Sequence, residues 1–141
     1  MRNLSFEEVQ QHLDTQFARA MQKFQLDHIN HATQTILITR TISVDDLRPG
    51  NTVSGPTLMQ VADFAAYVAI IADQGILEAA FTTNLNINFL RRGSAEQPIL
   101  AQAKVLKARR NLATVEVNLS SQSSQDLIAH AVASFALVRS A

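Results

Sequence analysis

The sequence contains no cysteine and no tryptophan. Without cysteine there is no disulfide framework, no thiolate nucleophile and no Cys-type zinc site. Only four glycines and three prolines punctuate 141 residues, and no linker, repeat or low-complexity tract is visible. Charged residues make up 17%, below the roughly 25% of an ordinary domain. Twelve basic residues balance twelve acidic ones, which excludes a bulk-basic nucleic-acid binder. Hydrophobic residues reach 47%, too many for a disordered chain. The longest apolar run, residues 64–72, lies between Asp63 and Asp73; a membrane span needs about 20. The start turns acidic at Glu7-Glu8 before any apolar run, so no signal peptide and a cytoplasmic location are expected. The length predicts one domain over residues 1–141. The scarcity of charge points to surface shared with a partner.

What is present is strongly periodic. Ser5 and Glu8 have the spacing of a capping box. Phe6, Val9, Leu13, Phe17, Ala20 and Phe24 then recur at helical spacing, which predicts an amphipathic helix over 5–23. Strand-like runs follow at 26–32 and 34–43. Residues 45–56 hold Pro49, Gly50, Gly55 and Pro56 and read as a loop. The stretch 56–72 lacks internal Gly and Pro and is rich in Ala, Leu and Met. It reads as a helix with Pro56 at its first position. Residues 82–89 alternate polar with apolar, the pattern of a half-buried strand. Strands are also expected near 98–108, 112–121 and 126–138, with a turn over 121–125. A long apolar helix followed by most of the strands predicts an α+β fold, an antiparallel sheet curled around that helix.

The chemistry concentrates on the central helix. It is apolar almost all round, which marks it as buried. Yet Gln60, Asp63 and Tyr67 fall three and four residues apart and share one face. A carboxylate on a buried helix is costly unless paired or hydrogen-bonded, so Asp63 is a candidate functional acid and equally a candidate structural ion pair. Just before the helix stand Ser54, Gly55 and Pro56. A helix start offers free N–H groups and a positive dipole end, suited to an oxyanion. Pro56 has no N–H, leaving Gly55 as the donor. A plain Gly-Pro helix start accounts for the same residues.

Residues 91–110 gather Arg91, Arg92, Lys104, Lys107, Arg109 and Arg110 against Glu96 alone. Such a basic region suits a phosphate-bearing ligand, or a strand edge blunted by cations. No aromatic residue interleaves with it, which disfavours nucleic acid. His28 and His31 lack a third strong ligand nearby, so no metal site is expected. His12 is expected on the solvated side of the first helix, and His130 to be a structural histidine. No nucleotide-binding or G-x-S-x-G motif is present.

Over residues 47–138 the chain resembles the hotdog-fold acyl-CoA thioesterases of the phenylacetyl-CoA thioesterase type. That group typically shows H-G-G-x-x-x-x-L-A-D at the start of its central helix, and residues 54–63 here read S-G-P-T-L-M-Q-V-A-D. Its next strand typically reads T-x-x-L-x-I-x-F-L-R-P, matched by T-T-N-L-N-I-N-F-L-R-R over residues 82–92. The resemblance implies hydrolysis of a small or medium acyl-CoA. Asp63 would be general base or nucleophile, the Gly55 N–H the oxyanion donor, and Thr82 an orienting group contributed across a subunit interface. It implies a homodimer or dimer of dimers with no membrane partner and no separate cofactor, coenzyme A being part of the substrate. Arg91, Arg92, Arg109 and Arg110 would meet its phosphates.

The sequence departs from the pattern at four places. Ser54 replaces the His, where it would supply a hydroxyl, and Pro56 replaces the second Gly. Arg48 stands where an upstream Asn is usual, with Asn51 close by. Tyr67 puts a bulky group one turn after the acid, at the acyl pocket. These departures keep a second reading open, a catalytically silent hotdog protein that binds acyl-CoA or fatty acyl groups. A hydratase would need a histidine brought to Asp63 by folding.

Overall fold

The computed structural model describes residues 2–124 and 126–140. The central helix, α2, runs Gly55–Gln74, slightly beyond the expected 56–72. Ser54 is its N-cap, with the side-chain oxygen accepting from the Thr57 N–H. Pro56 sits in the first turn, where a missing N–H costs nothing. Gly75 ends the helix at φ +93°, a conformation that glycine adopts without strain. Val61, Ala62, Ala65, Ala66, Val68, Ile70 and Ile71 are all buried. Burying an isoleucine such as Ile70 contributes about 1.5–3 kcal/mol, and the alanines let the sheet come close. By length and apolarity alone α2 would meet the requirement for a membrane span; here the sheet wraps it.

Before α2 come α1 (Phe6–Gln16), β1 (Phe24–Asn30), β2 (Thr35–Arg40) and a short hairpin of β3 (Leu47–Arg48) and β4 (Thr52–Val53). After it come β5 (Ala79–Phe89), β6 (Ile99–Ala108), β7 (Leu112–Ser121) and β8 (Leu127–Val138). Six strands form one antiparallel sheet in the order β1-β2-β6-β7-β8-β5. This is the expected α+β hotdog arrangement, with β1 and β5 at the edges. In the expected turn over 121–125, Gln125 lies outside the described residues.

Two expectations need correction. The first helix stops at Gln16, not near 23. Phe17 leaves helical geometry (φ −132°, ψ 38°) and packs its ring 5.7 Å from Phe64 and 5.1 Å from Tyr67. Phe24 continues the 3.6-residue period but opens β1, stacked 4.5 Å from Phe64. Aromatic packing onto α2 thus overrides the local period. The expected loop over 45–56 also contains the β3–β4 hairpin, whose tip places Gly50 (φ +92°) and Asn51 (φ +57°) in left-handed conformations. The capping box forms as expected from Ser5 and Glu8.

Candidate functional site

Asp63 is half-buried on α2, and its carboxylate accepts a hydrogen bond from the Thr82 hydroxyl of β5. The register of β5 explains how Thr82 reaches it. Leu85, Ile87 and Phe89 pair with Ala133, Ala131 and Ala129 on the helix side of the sheet. Unbroken alternation from these residues would put Thr83 on the helix side and turn Thr82 to solvent. A bulge between Thr82 and Asn84 interrupts the ladder. It absorbs Thr83, whose hydroxyl bonds the Ser134 carbonyl, and gives the helix side to Thr82, opposite buried Phe135. Bulges commonly re-aim a side chain in this way. The Thr82–Asp63 contact forms within one chain, whereas Thr82 was expected to arrive across an interface.

Gln60, Asp63, Phe64, Tyr67, Phe81 and Thr82 line a cavity of about 360 Å³. The expected stripe Gln60–Asp63–Tyr67 therefore does converge. Gln60 also accepts from Arg40 Nη2 at 3.2 Å. Tyr67 Oη lies 2.9 Å from His12 Nε2. His12 is thus half-buried against α2 and not on a solvated face. Burial holds the His12 imidazole below and the Tyr67 phenol above their ordinary ranges, so both are neutral near pH 7.

The helix start lies elsewhere. Gly55 and Asp63 are eight residues apart on α2, about 12 Å along the axis. One chain cannot bring both to a single carbonyl. Gly55 is half-buried, and a Cβ built there would stand 3.5 Å from the Phe89 ring. As the first helical residue its N–H has no intrahelical acceptor. The Ser54 hydroxyl caps the helix and donates to Thr57 Oγ1 at 2.9 Å. Its proton is therefore already engaged.

A buried network holds this helix start. Arg40 and Asp46 are only 3% and 5% exposed. Arg40 donates through Nη1 and Nη2 to both Asp46 oxygens at 2.8 and 3.0 Å. Asp46 also accepts from the Ser43 N–H at 2.9 Å and Thr57 Oγ1 at 3.3 Å, and its backbone carbonyl accepts from the Ser54 N–H at 2.8 Å. Arg40 hydrogen bonds hold the Asp46 carboxyl well below the usual carboxylate range. The Ser43 N–H assists, against an opposing push from burial. Sequence reading missed Arg40 and Asp46, and it placed His12 on the solvated face when it packs against Tyr67. His12 had a visible signal, three residues after Val9 and beside Leu13, both buried.

The basic region does not form one cluster. Arg91 and Arg92 follow β5 at the end of the sheet where β8 begins, and the Arg91 N–H bonds the Ile128 carbonyl. Arg91 pairs loosely with Asp126 at 3.6 Å, while Arg92 donates to Gly50 O and Thr52 Oγ1. Arg109 and Arg110 occupy the β6–β7 turn at the opposite end. The eight-residue stretch of β7 between the two levels spans about 26 Å. Lys104 pairs across strands with Glu116, which also meets His130 at 2.9 Å. The correction has a plain cause: β6 carries the chain from one end of the sheet to the other.

The comparisons with known proteins agree with this architecture. The sequence pattern of the thioesterase superfamily matches residues 50–128. The chain belongs to the thioesterase superfamily. Among curated protein sequences none matches it. A putative thioesterase of Silicibacter is similar in structure, with a TM-score of 0.83 and 27% identity over 93% of this chain and 90% of that one. The PaaI protein from the phenylacetic acid degradation operon of E. coli gives a TM-score of 0.78 at 20% identity, covering 92% and 93%. A hypothetical thioesterase of Streptococcus pneumoniae solved with coenzyme A gives 0.77 at 16%, covering 92% and 99%.

Proposed function

We propose that this superfamily member is an acyl-CoA thioesterase hydrolysing small or medium acyl-CoA esters, with Asp63 as general base or nucleophile. The observation that carries the reading is the Asp63–Thr82 pair at a cavity beside the exposed β5 edge. Thr82 orients the carboxylate. Water adds to the thioester carbonyl, the C–S bond breaks, and the products are a carboxylic acid and the coenzyme A thiol. The coenzyme A of the S. pneumoniae relative supports a CoA ester as substrate class.

The missing oxyanion donor comes from a second copy. The outer edge of β5 has no strand partner among the described residues, and an unpaired edge is a template for another strand. Phe81 and Phe89 near its ends are 54% and 51% exposed. Two β5 strands paired antiparallel about a two-fold near Leu85 place Thr82 of one copy beside Phe89 of the other. Gly55 packs on Phe89, so its N–H then approaches the partner's Asp63. The same two-fold brings Arg91 and Arg92 of one copy toward Arg109 and Arg110 of the other, reuniting the cations for coenzyme A phosphates. Asn51 and Pro56 flank that groove, and Ser54 serves it as the helix cap.

The test is thiol release from a panel of acyl-CoA esters. Wild type releases thiol, and Asp63→Asn lowers kcat by about 10²–10⁴-fold, the usual range for a positioned base. Unchanged turnover in Asp63→Asn overturns the mechanism. Tight CoA-ester binding by wild type without turnover favours the silent-binder reading instead.

A further inference from the structure

Beyond Asp63 the acyl cavity ends at a wall. Tyr67 stands one turn further along α2, about 6 Å along the axis. It lines the cavity that holds Asp63 and a second one of about 480 Å³ that holds His12, Gln16 and Glu78. Phe17, Tyr67 and Ala80 line both, so they form the partition between them. The partition is held in place. Tyr67 Oη meets His12 Nε2 at 2.9 Å, and the Tyr67 ring lies 5.1 Å from that of Phe17. Phe17 occupies this place because α1 ends there.

We propose that Tyr67, positioned by His12, determines acyl-chain length by closing the acyl chamber against the second cavity. The assignment rests on the thioesterase reading and adds to it a substrate class: acyl groups of a few methylenes or one aromatic ring. The chamber walls are aromatic (Phe17, Phe64, Phe81), which suits an apolar acyl group. A chain that outgrows the chamber meets the Tyr67 ring. With that ring removed, the same chain passes into the second cavity and buries further methylenes there. Each buried methylene corresponds to about fourfold in affinity.

The experiment measures kcat/KM over a straight-chain acyl-CoA series for wild type, Tyr67→Ala, Tyr67→Leu and Tyr67→Phe. Binding of the same esters to each variant in an Asp63→Asn background is measured by calorimetry. Wild type gains with length and then falls once the chamber is full. Tyr67→Ala and Tyr67→Leu move the optimum to longer chains, with about fourfold gained per methylene beyond the wild-type limit. Tyr67→Phe keeps the wall without the His12 bond, so its optimum stays near that of wild type while its discrimination against longer chains weakens. An unmoved optimum in folded Tyr67→Ala or Tyr67→Leu overturns the inference alone, provided wild type hydrolyses esters through Asp63. If wild type neither binds nor hydrolyses any ester, the thioesterase reading falls and this inference with it.

Discussion

The Arg40–Asp46 pair is the most consequential buried feature outside the cavity. Replacing Asp46 with Ala leaves the Arg40 guanidinium, 3% exposed, without its counterion. Breaking a buried pair from one side costs about 3–5 kcal/mol. Ser43 and Thr57 lose an acceptor at the same time. For a chain of this length, that range lowers the unfolding midpoint by about 10–17 °C. Replacing both partners, Arg40→Met with Asp46→Leu, removes the stranded charge and recovers most of the loss. Thermal and urea unfolding of wild type, both single variants and the double variant close a double-mutant cycle. The pH dependence follows from the depressed Asp46 carboxyl. Because its folded pKa lies below the unfolded value near 3.9, the stabilisation is fully present above about pH 4. It is lost as pH falls through the folded value, and Asp46→Asn lacks that acid-labile part. A loss below about 1 kcal/mol in Asp46→Ala, or additive single effects, would refute the reasoning.

The hydroxyl that faces Asp63 is Thr82 and not Thr83, so Thr82→Val lowers kcat by about 10–100-fold, the worth of a hydrogen bond to a charged group. Thr83→Val, which removes a hydroxyl that donates to the Ser134 carbonyl, stays within about twofold; the reverse order in a thiol-release assay would remove the bulge from the argument. If each site takes Asp63 from one copy and Gly55 from the other, two inactive variants complement. Asp63→Asn reassorted with Gly55→Pro, which deletes the donor N–H at a position that tolerates proline, regains about a quarter of wild-type activity. A mixture no more active than its two parents sinks the shared site.

Much of this was legible in the residues. The unbroken apolar run of α2 and the Gly-Pro start marked a buried central helix, and the stripe Gln60–Asp63–Tyr67 marked the cavity wall, because helical spacing alone fixes which side chains share a face. The course of β5 was legible as a strand, but not the face that Thr82 presents. A bulge carries no compositional signal, and strict alternation over residues 82–89 argues against one. The basic region misled for a related reason. Closeness along the chain is not closeness in space when a ten-residue strand, β6, lies between two arginine pairs. The Arg40–Asp46 network was invisible because an arginine ending one strand and an aspartate in the next turn look like surface residues until the fold buries both.

The apolarity of α2 has a consequence for biosynthesis. The helix is complete at Gln74, yet three of the strands that cover it, β6, β7 and β8, lie wholly within residues 99–138. At ribosomal rates of about 5–20 residues per second, residues 75–141 take several seconds to emerge. Through that interval a helix long and apolar enough to pass for a membrane span has only α1, β1 and β2 as cover. Half of the six-stranded sheet that wraps α2 is thus the last part of the chain to be made.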